Sequence, residues 1–162
     1  MDALICSKAK LAAITKATPK IANYQFTTIN PNLGVAMYDY KEITLADIPG
    51  LIEGAHSGVG LGIKFLKHIE RCKTLVHLID SSEENLINSY KQVRNELGKY
   101  SKDLLKKKEL IVFNKIDLID EKKLKEKKIE FKKKIKKQIL YLSTIDKSLI
   151  SKMKAKLINY VS

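Results

Sequence analysis

The stretch Leu110-Ile111-Val112-Phe113-Asn114-Lys115-Ile116-Asp117 joins an apolar run to a short polar segment. A continuous apolar run of this kind reads as a strand buried on both faces, as in the middle of a parallel sheet covered by helices. Thr74 to Ile79 has the same character, and Ile139 to Leu142 reads as the last strand. Upstream, Leu33 to Tyr38 and Glu42 to Ile48 read as neighbouring strands joined by a polar turn at Asp39 and Tyr40. Segments with helical spacing separate these runs. Leu61 to Arg71 carries Leu61, Phe65, Leu66 and Ile69, and Glu84 to Leu97 carries Leu86, Ile87, Tyr90, Val93 and Leu97. Lys122 to Lys137 sets Leu124, Phe131 and Ile135 on one stripe of a charged helix, and Ser148 to Tyr160 supplies a closing helix. Strands alternating with helices predict an α/β fold, a parallel-rich sheet flanked by helices.

In an open α/β sheet, ligands bind outside the carboxyl ends of the strands. Two strand ends carry suggestive chemistry. Asp47-Ile48-Pro49-Gly50 follows one strand: Asp47 can hold Mg²⁺ through water, and the Gly50 N–H can donate to a terminal phosphate. Taken alone, the tetrapeptide also reads as a plain exit from strand to turn. Asn114-Lys115-Ile116-Asp117 follows the opening stretch. A carboxylate at Asp117 can accept both the N1–H and the exocyclic amino protons of guanine, a donor pair that adenine does not present. Asn114 would tie neighbouring loops together, and the aliphatic stem of Lys115 would lie along the base plane. The alternative is a polar cap on the next helix, with Asp117 as the capping residue. After the last strand, Ser143-Thr144-Ile145 can back a base with main-chain amides.

The chain has 162 residues, a single-domain length, with no internal repeat and no Pro/Gly/Ser linker. It is 44% hydrophobic and 30% charged, and no apolar run approaches bilayer length, so a chain without a membrane span is expected. The opening residues lack the pattern of a secretory signal, which makes the cytoplasm the expected compartment; a monomer is the expected state. Cys6 and Cys72 are too few for a disulfide framework, and His56, His68 and His77 lack metal-site spacing, so no transition-metal site is expected. The formal net charge of +13 favours polyanions such as ribosomal RNA. Abundant Lys, Ile and Asn also fit a genome biased toward A and T, which raises lysine without selecting a binding face.

The segment Lys20-Ile21-Ala22-Asn23-Tyr24-Gln25-Phe26-Thr27-Thr28-Ile29-Asn30-Pro31-Asn32-Leu33-Gly34-Val35 is followed by Asp47 to Ala55, Gly58-Val59-Gly60-Leu61-Gly62 and Phe65 to Arg71. Together they resemble the Obg family of GTPases almost residue for residue, over nearly the whole chain from about Leu11. The resemblance implies a P-loop GTPase-like sheet, binding of GTP with Mg²⁺, hydrolysis to GDP and phosphate, and a role in ribosome assembly. It implies that Phe26, Thr27, Thr28, Ile29 and Asn30 form a first switch, with the Thr28 hydroxyl on Mg²⁺. Asp47, Ile48, Pro49 and Gly50 open a second switch, with Asp47 on Mg²⁺ through water. Asn114, Lys115, Ile116 and Asp117, with Ser143, Thr144 and Ile145, hold the guanine. Such switches are ordered by γ-phosphate and Mg²⁺; the glycines from Gly54 to Gly62 leave the second free to reorganise. No residue is assigned as catalytic. Leu51 stands where many GTPases carry a water-orienting glutamine, so the resemblance implies slow intrinsic turnover. Gln25 replaces the family's usual proline, which loosens the first switch slightly.

The departure from the family lies near the amino terminus. Leu11 to Ala17 follows the family's first helix, yet the residues before it are Ile5-Cys6-Ser7-Lys8-Ala9-Lys10. They contain no glycine, so the amide nest around the phosphates cannot be built in its usual backbone conformation, and Lys8 falls one position late for the phosphate lysine. Only Ala3 to Cys6 is a candidate for the family's first strand, so the sheet is expected to lack that central strand. Residues 1–162 therefore read as one Obg-type domain truncated at its start. Three functions follow: a GTP-binding hydrolase impaired by loss of the phosphate loop, a basic RNA- or ribosome-binding module using Lys122 to Lys137, or an inactive gene remnant.

Overall fold

The computed structural model describes residues 3–6, 14, 20–21, 32–47, 70 and 72–161. Their strands are β1 (Ala3–Cys6), β2 (Lys20–Ile21), β3 (Asn32–Tyr38), β4 (Lys41–Asp47), β5 (Thr74–Asp80), β6 (Lys108–Asn114) and β7 (Ile139–Tyr141). They form one sheet in the order β2-β3-β4-β1-β5-β6-β7. Strands β4, β1, β5, β6 and β7 pair in parallel, whereas β3 is antiparallel to both β2 and β4. The α/β expectation holds.

The expected gap at the centre of the sheet is not there. Strand β1 lies between β4 and β5, with Ile5 in register with Asp47 on one side and Val76 on the other. Four residues suffice because β4 and β5 each offer an edge of backbone donors and acceptors, which a central strand satisfies on both sides at once. The β3–β4 turn is equally specific. Asp39 and Tyr40 both have positive φ, 48° and 58°, between the paired residues Tyr38 and Lys41. Two left-handed residues in a two-residue loop match the twist of the flanking strands.

Among the described residues, three helices cover the sheet: α1 (Leu86–Tyr100), α2 (Glu121–Lys134) and α3 (Lys147–Val161). Each begins at a polar cap. Asn85 accepts from the Asn88 amide at 3.0 Å, Asp120 from the Lys123 amide at 2.8 Å, and Asp146 from the Ser148 amide at 2.8 Å. The helix expected over Leu61 to Arg71 lies outside the described residues, apart from the helical Glu70. Of the expected first helix, only Ile14 is described, and it is buried in the core beneath α3.

The continuous apolar runs follow from burial on both faces. Val76, Leu78, Leu110 and Val112 share one core with Met153, Leu157, Ile158 and Val161 of α3. Ile79, Ile111 and Phe113 share the other with Leu86, Ile87 and Tyr90 of α1 and Phe131 of α2. Phe131 meets Phe113 edge-on at 5.2 Å and Tyr90 edge-on at 5.6 Å. Among the described residues, no helix is long and apolar enough to cross a membrane. Cys72 is buried and free, which pushes its thiol up to about 11.

The second core also encloses a carboxylate. Glu109, near the start of β6, accepts from the Tyr90 hydroxyl at 2.9 Å and from Lys137. His77 Nδ1 lies 3.4 Å and Arg94 Nη1 3.8 Å away. Burial pushes this carboxyl up, but hydrogen bonds to His77 and Lys137 outweigh it and hold the group down at about 2. Burial and the facing carboxylate together push the Tyr90 phenol well above its ordinary value. One buried anion thus ties β5, α1 and the segment before β7 to β6.

Candidate functional site

Parallel pairing brings the carboxyl ends of β5, β6 and β7 side by side. Asp80 is in register with Asn114, and Phe113 with Tyr141. Backbone hydrogen bonds then lace the following loops together. The Ser81 amide donates to the Asn114 carbonyl at 2.8 Å, the Leu142 amide to Phe113 at 2.8 Å, and the Ile116 amide to Leu142 at 3.3 Å. Lys115 takes a left-handed conformation, φ 58°, and Ile116–Leu118 form a single 3-10 turn. That reversal carries the chain out of the sheet and presents the next side chains to solvent.

The result is a buried polar floor with an exposed rim. Ser81, Asn114 and Ser143 are buried on the three adjacent strand ends. Among the described residues, Ser81 Oγ, Asn114 Oδ1 and Ser143 Oγ have no hydrogen-bond partner. Lys115, Asp117, Thr144 and Ile145 are exposed, and Ile116 packs half-buried against the core below. The two loops singled out from sequence therefore meet. Asp117 is not the helix cap: that role belongs to Asp120, and the Asp117 carboxylate stands free of the α2 terminus.

Sequence reasoning missed Asp80. Its Oδ2 lies 2.5 Å from the Lys115 ammonium, and its Oδ1 accepts from the Ser82 hydroxyl at 2.6 Å and the Ser82 amide at 3.0 Å. Burial pushes the Asp80 carboxyl up, but Lys115 and Ser82 prevail and hold it below the ordinary carboxylate range. The same contact raises the Lys115 ammonium above its usual value. The rule that singled out Asp47, an acidic residue at the carboxyl end of a strand, would have found Asp80 as well. Lys127 of α2 reaches the same loops, donating to the Ser81 carbonyl at 2.8 Å and the Glu83 carbonyl at 2.6 Å.

On the phosphate side less is described. Asp47 is the last residue of β4 and pairs through its backbone with Ile5 and Asn32. Phe26, Thr27, Thr28, Ile29 and Asn30 of the expected first switch lie outside the described residues, as do Ile48, Pro49 and Gly50 of the second. Gln25, Leu51 and the glycines from Gly54 to Gly62 do so too. In nucleotide sites of this class, Mg²⁺ is held through the substrate phosphates, an acidic residue and a hydroxyl of the phosphate loop. Asp47 has the right chemistry at the right strand end, but after β1 the sequence has no glycine before Gly34. Without a Gly-Lys-Ser/Thr after β1, the phosphate-loop hydroxyl that shares such an ion is lacking, so the residues present do not fit a magnesium-bound triphosphate. Among the described residues, no group of three or more His, Cys, Asp or Glu side chains is placed to hold a metal ion.

Residues 10–115 match the family described as 50S ribosome-binding GTPase. The chain is 68% identical over 152 residues to a GTPase Obg of Pelagibacter ubique (strain HTCC1062), covering 94% of this chain and 46% of that protein. It is 49% identical over 136 residues to a GTPase Obg of Wolbachia pipientis subsp. Culex pipiens (strain wPip), covering 84% and 40%. The chain thus spans less than half the length of these relatives. Among solved structures, the cytosolic domain of the T. maritima FeoB iron transporter in apo form superposes with a TM-score of 0.68 at 17% identity, covering 99% of this chain and 64% of that one. A nucleolar GTP-binding protein 1 from Plasmodium falciparum superposes with a TM-score of 0.61 at 18% identity, covering 99% and 86%. At these identities the two structures speak to the fold alone.

Proposed function

This chain belongs to the 50S ribosome-binding GTPase family, as an Obg-type G domain, and on that premise we propose that it binds guanine nucleotides through Asn114, Lys115, Ile116 and Asp117 with Ser143, Thr144 and Ile145. The observation that carries the proposal is the exposed Asp117 carboxylate, which caps no helix and stands on a loop laced to the end of β7. The carboxylate accepts two protons from guanine, whereas adenine would leave it facing no matching donor pair. Asp80 steers the ammonium of Lys115 to one side, which leaves the aliphatic stem to cover the base.

GTP hydrolysis is the activity in the family's name, and it needs more than base recognition. Leu51 cannot orient a water, and the sequence after β1 contains no Gly-Lys-Ser/Thr. We therefore assign this chain binding rather than turnover. Thr28 and Asp47 are the residues that family likeness offers to Mg²⁺, and no step is routed through that ion. Calorimetry with GDP and ADP tests the reading. Saturable GDP binding is expected, with ADP about tenfold weaker or worse, the loss of one charge-assisted hydrogen bond. Absence of saturation with GDP on the folded chain contradicts it.

A second reading, contact with ribosomal RNA in the cytoplasm, draws on α2. Lys122, Lys123, Lys125, Lys132, Lys133 and Lys134 are all exposed there, on a chain of net charge +13. RNA affinity that falls steeply with salt supports this reading, and salt-insensitive or absent binding opposes it.

A further inference from the structure

We infer that this chain reads the guanine base and gives the phosphates no grip, so that its ligand class is guanine nucleosides at large, guanosine as well as GDP and GTP. The inference deepens the base-recognition reading above and rests on it. Three observations carry it.

The first is the position of β1. Because β1 sits at the centre of the sheet, between β4 and β5, the sequence that follows it is the one that wraps phosphates in folds of this type. A phosphate nest is made of successive backbone amides, some in conformations that glycine adopts without steric cost. Here that sequence begins Ser7-Lys8-Ala9-Lys10, and no glycine occurs before Gly34.

The second is the state of two described cations at the carboxyl ends of β5 and β6. Lys115 is engaged by Asp80, and Lys127 by the carbonyls of Ser81 and Glu83. Releasing either ammonium to a phosphate would strip a partner from a carboxylate or from two carbonyls.

The third is the sign of the neighbouring charge. Asp80 ends β5, and Glu83 and Asp117 stand in the loops that follow β5 and β6. These carboxylates repel a di- or triphosphate and are indifferent to a neutral base and sugar. The parts that face the base, Asp117 and the loops anchored on Asn114 and Ser143, are by contrast all in place.

The test is a calorimetric titration of the full chain with guanosine, GMP, GDP and GTP, each with and without Mg²⁺, with adenosine as control and inorganic pyrophosphate as competitor. The expected result is a flat series: dissociation constants within about threefold of one another, no response to Mg²⁺ and no displacement by pyrophosphate. Adenosine should bind about tenfold more weakly or worse. Tightening of about tenfold or more from guanosine to GDP, or displacement by pyrophosphate, overturns the inference while base recognition stands. Failure of guanosine and GDP alike, on a chain that unfolds cooperatively, overturns base recognition and the inference together.

Discussion

The ammonium of Lys115 lies 2.5 Å from Oδ2 of Asp80, joining the carboxyl ends of two neighbouring parallel strands. Both side chains are partly exposed, at 48% and 24%, so solvent screening keeps the contribution of the pair to stability below about 1 kcal/mol. Its consequence is directional: the ammonium is drawn toward the end of β5.

Asp80→Asn removes that tether. The melting temperature should change little, while the ratio of GDP to guanosine affinity rises about threefold, because an ammonium is freed and a carboxylate removed. Competition titrations of the two ligands measure this ratio. An unchanged ratio contradicts the role given to the pair.

The buried Glu109 predicts an acid limb in stability. Its carboxyl is held at about 2 in the folded chain against an ordinary value of 4.5. A folded value below the unfolded one means that the contribution is fully present above about pH 4.5 and is lost as pH falls toward 2. Glu109→Gln should cost about 3 kcal/mol at pH 7, since Lys137 and Arg94 then face a neutral amide, and should flatten the limb. Urea denaturation between about pH 2 and pH 7, which spans the titration, measures both effects.

Strand β1 offers a test of the topology. Ile5→Pro removes a backbone donor from the middle of a central strand, which should cost about 3 kcal/mol or more and abolish cooperative unfolding. A variant that melts as sharply as the parent would mean that β1 is not between β4 and β5.

The two aspartates that follow β6 should behave differently. Asp120→Ala loses the α2 cap and should cost about 1 kcal/mol. Asp117→Ala should leave the melting temperature nearly unchanged and abolish guanine binding. Thermal unfolding of the two variants side by side separates the cap from the candidate ligand group.

Most of this architecture was legible in the sequence for a specific reason. Residues such as Val112 and Phe113 face opposite cores, so β5 and β6 are apolar throughout and stand out against the charged helices. The loop pair Asn114 to Asp117 and Ser143 to Ile145 was legible because strand ends mark ligand sites in such sheets. Strand β1 was legible only as a candidate at Ala3 to Cys6: four residues show no period, and their central place is set by the open edges of β4 and β5, which only the assembled sheet reveals. The Glu109 cluster was hidden for a related reason, since His77 lies 32 residues away and Tyr90 and Lys137 come from other elements. Asp80 was readable by the rule applied to Asp47, and its pairing with Lys115 was not, because it depends on the left-handed turn at Lys115.

The most direct measurement of the central claim exchanges the hydrogen-bonding sense of a single side chain. In Asp117→Asn an oxygen still accepts the N1–H, while the new amide donates and so matches the C2 carbonyl of xanthine instead of the amino group of guanine. Titrating both proteins with guanosine and xanthosine should show guanosine weakened about tenfold or more and xanthosine strengthened to become the preferred ligand. Equal guanosine affinity in parent and variant would contradict the account, because Asp117 would then not be the residue that reads the base.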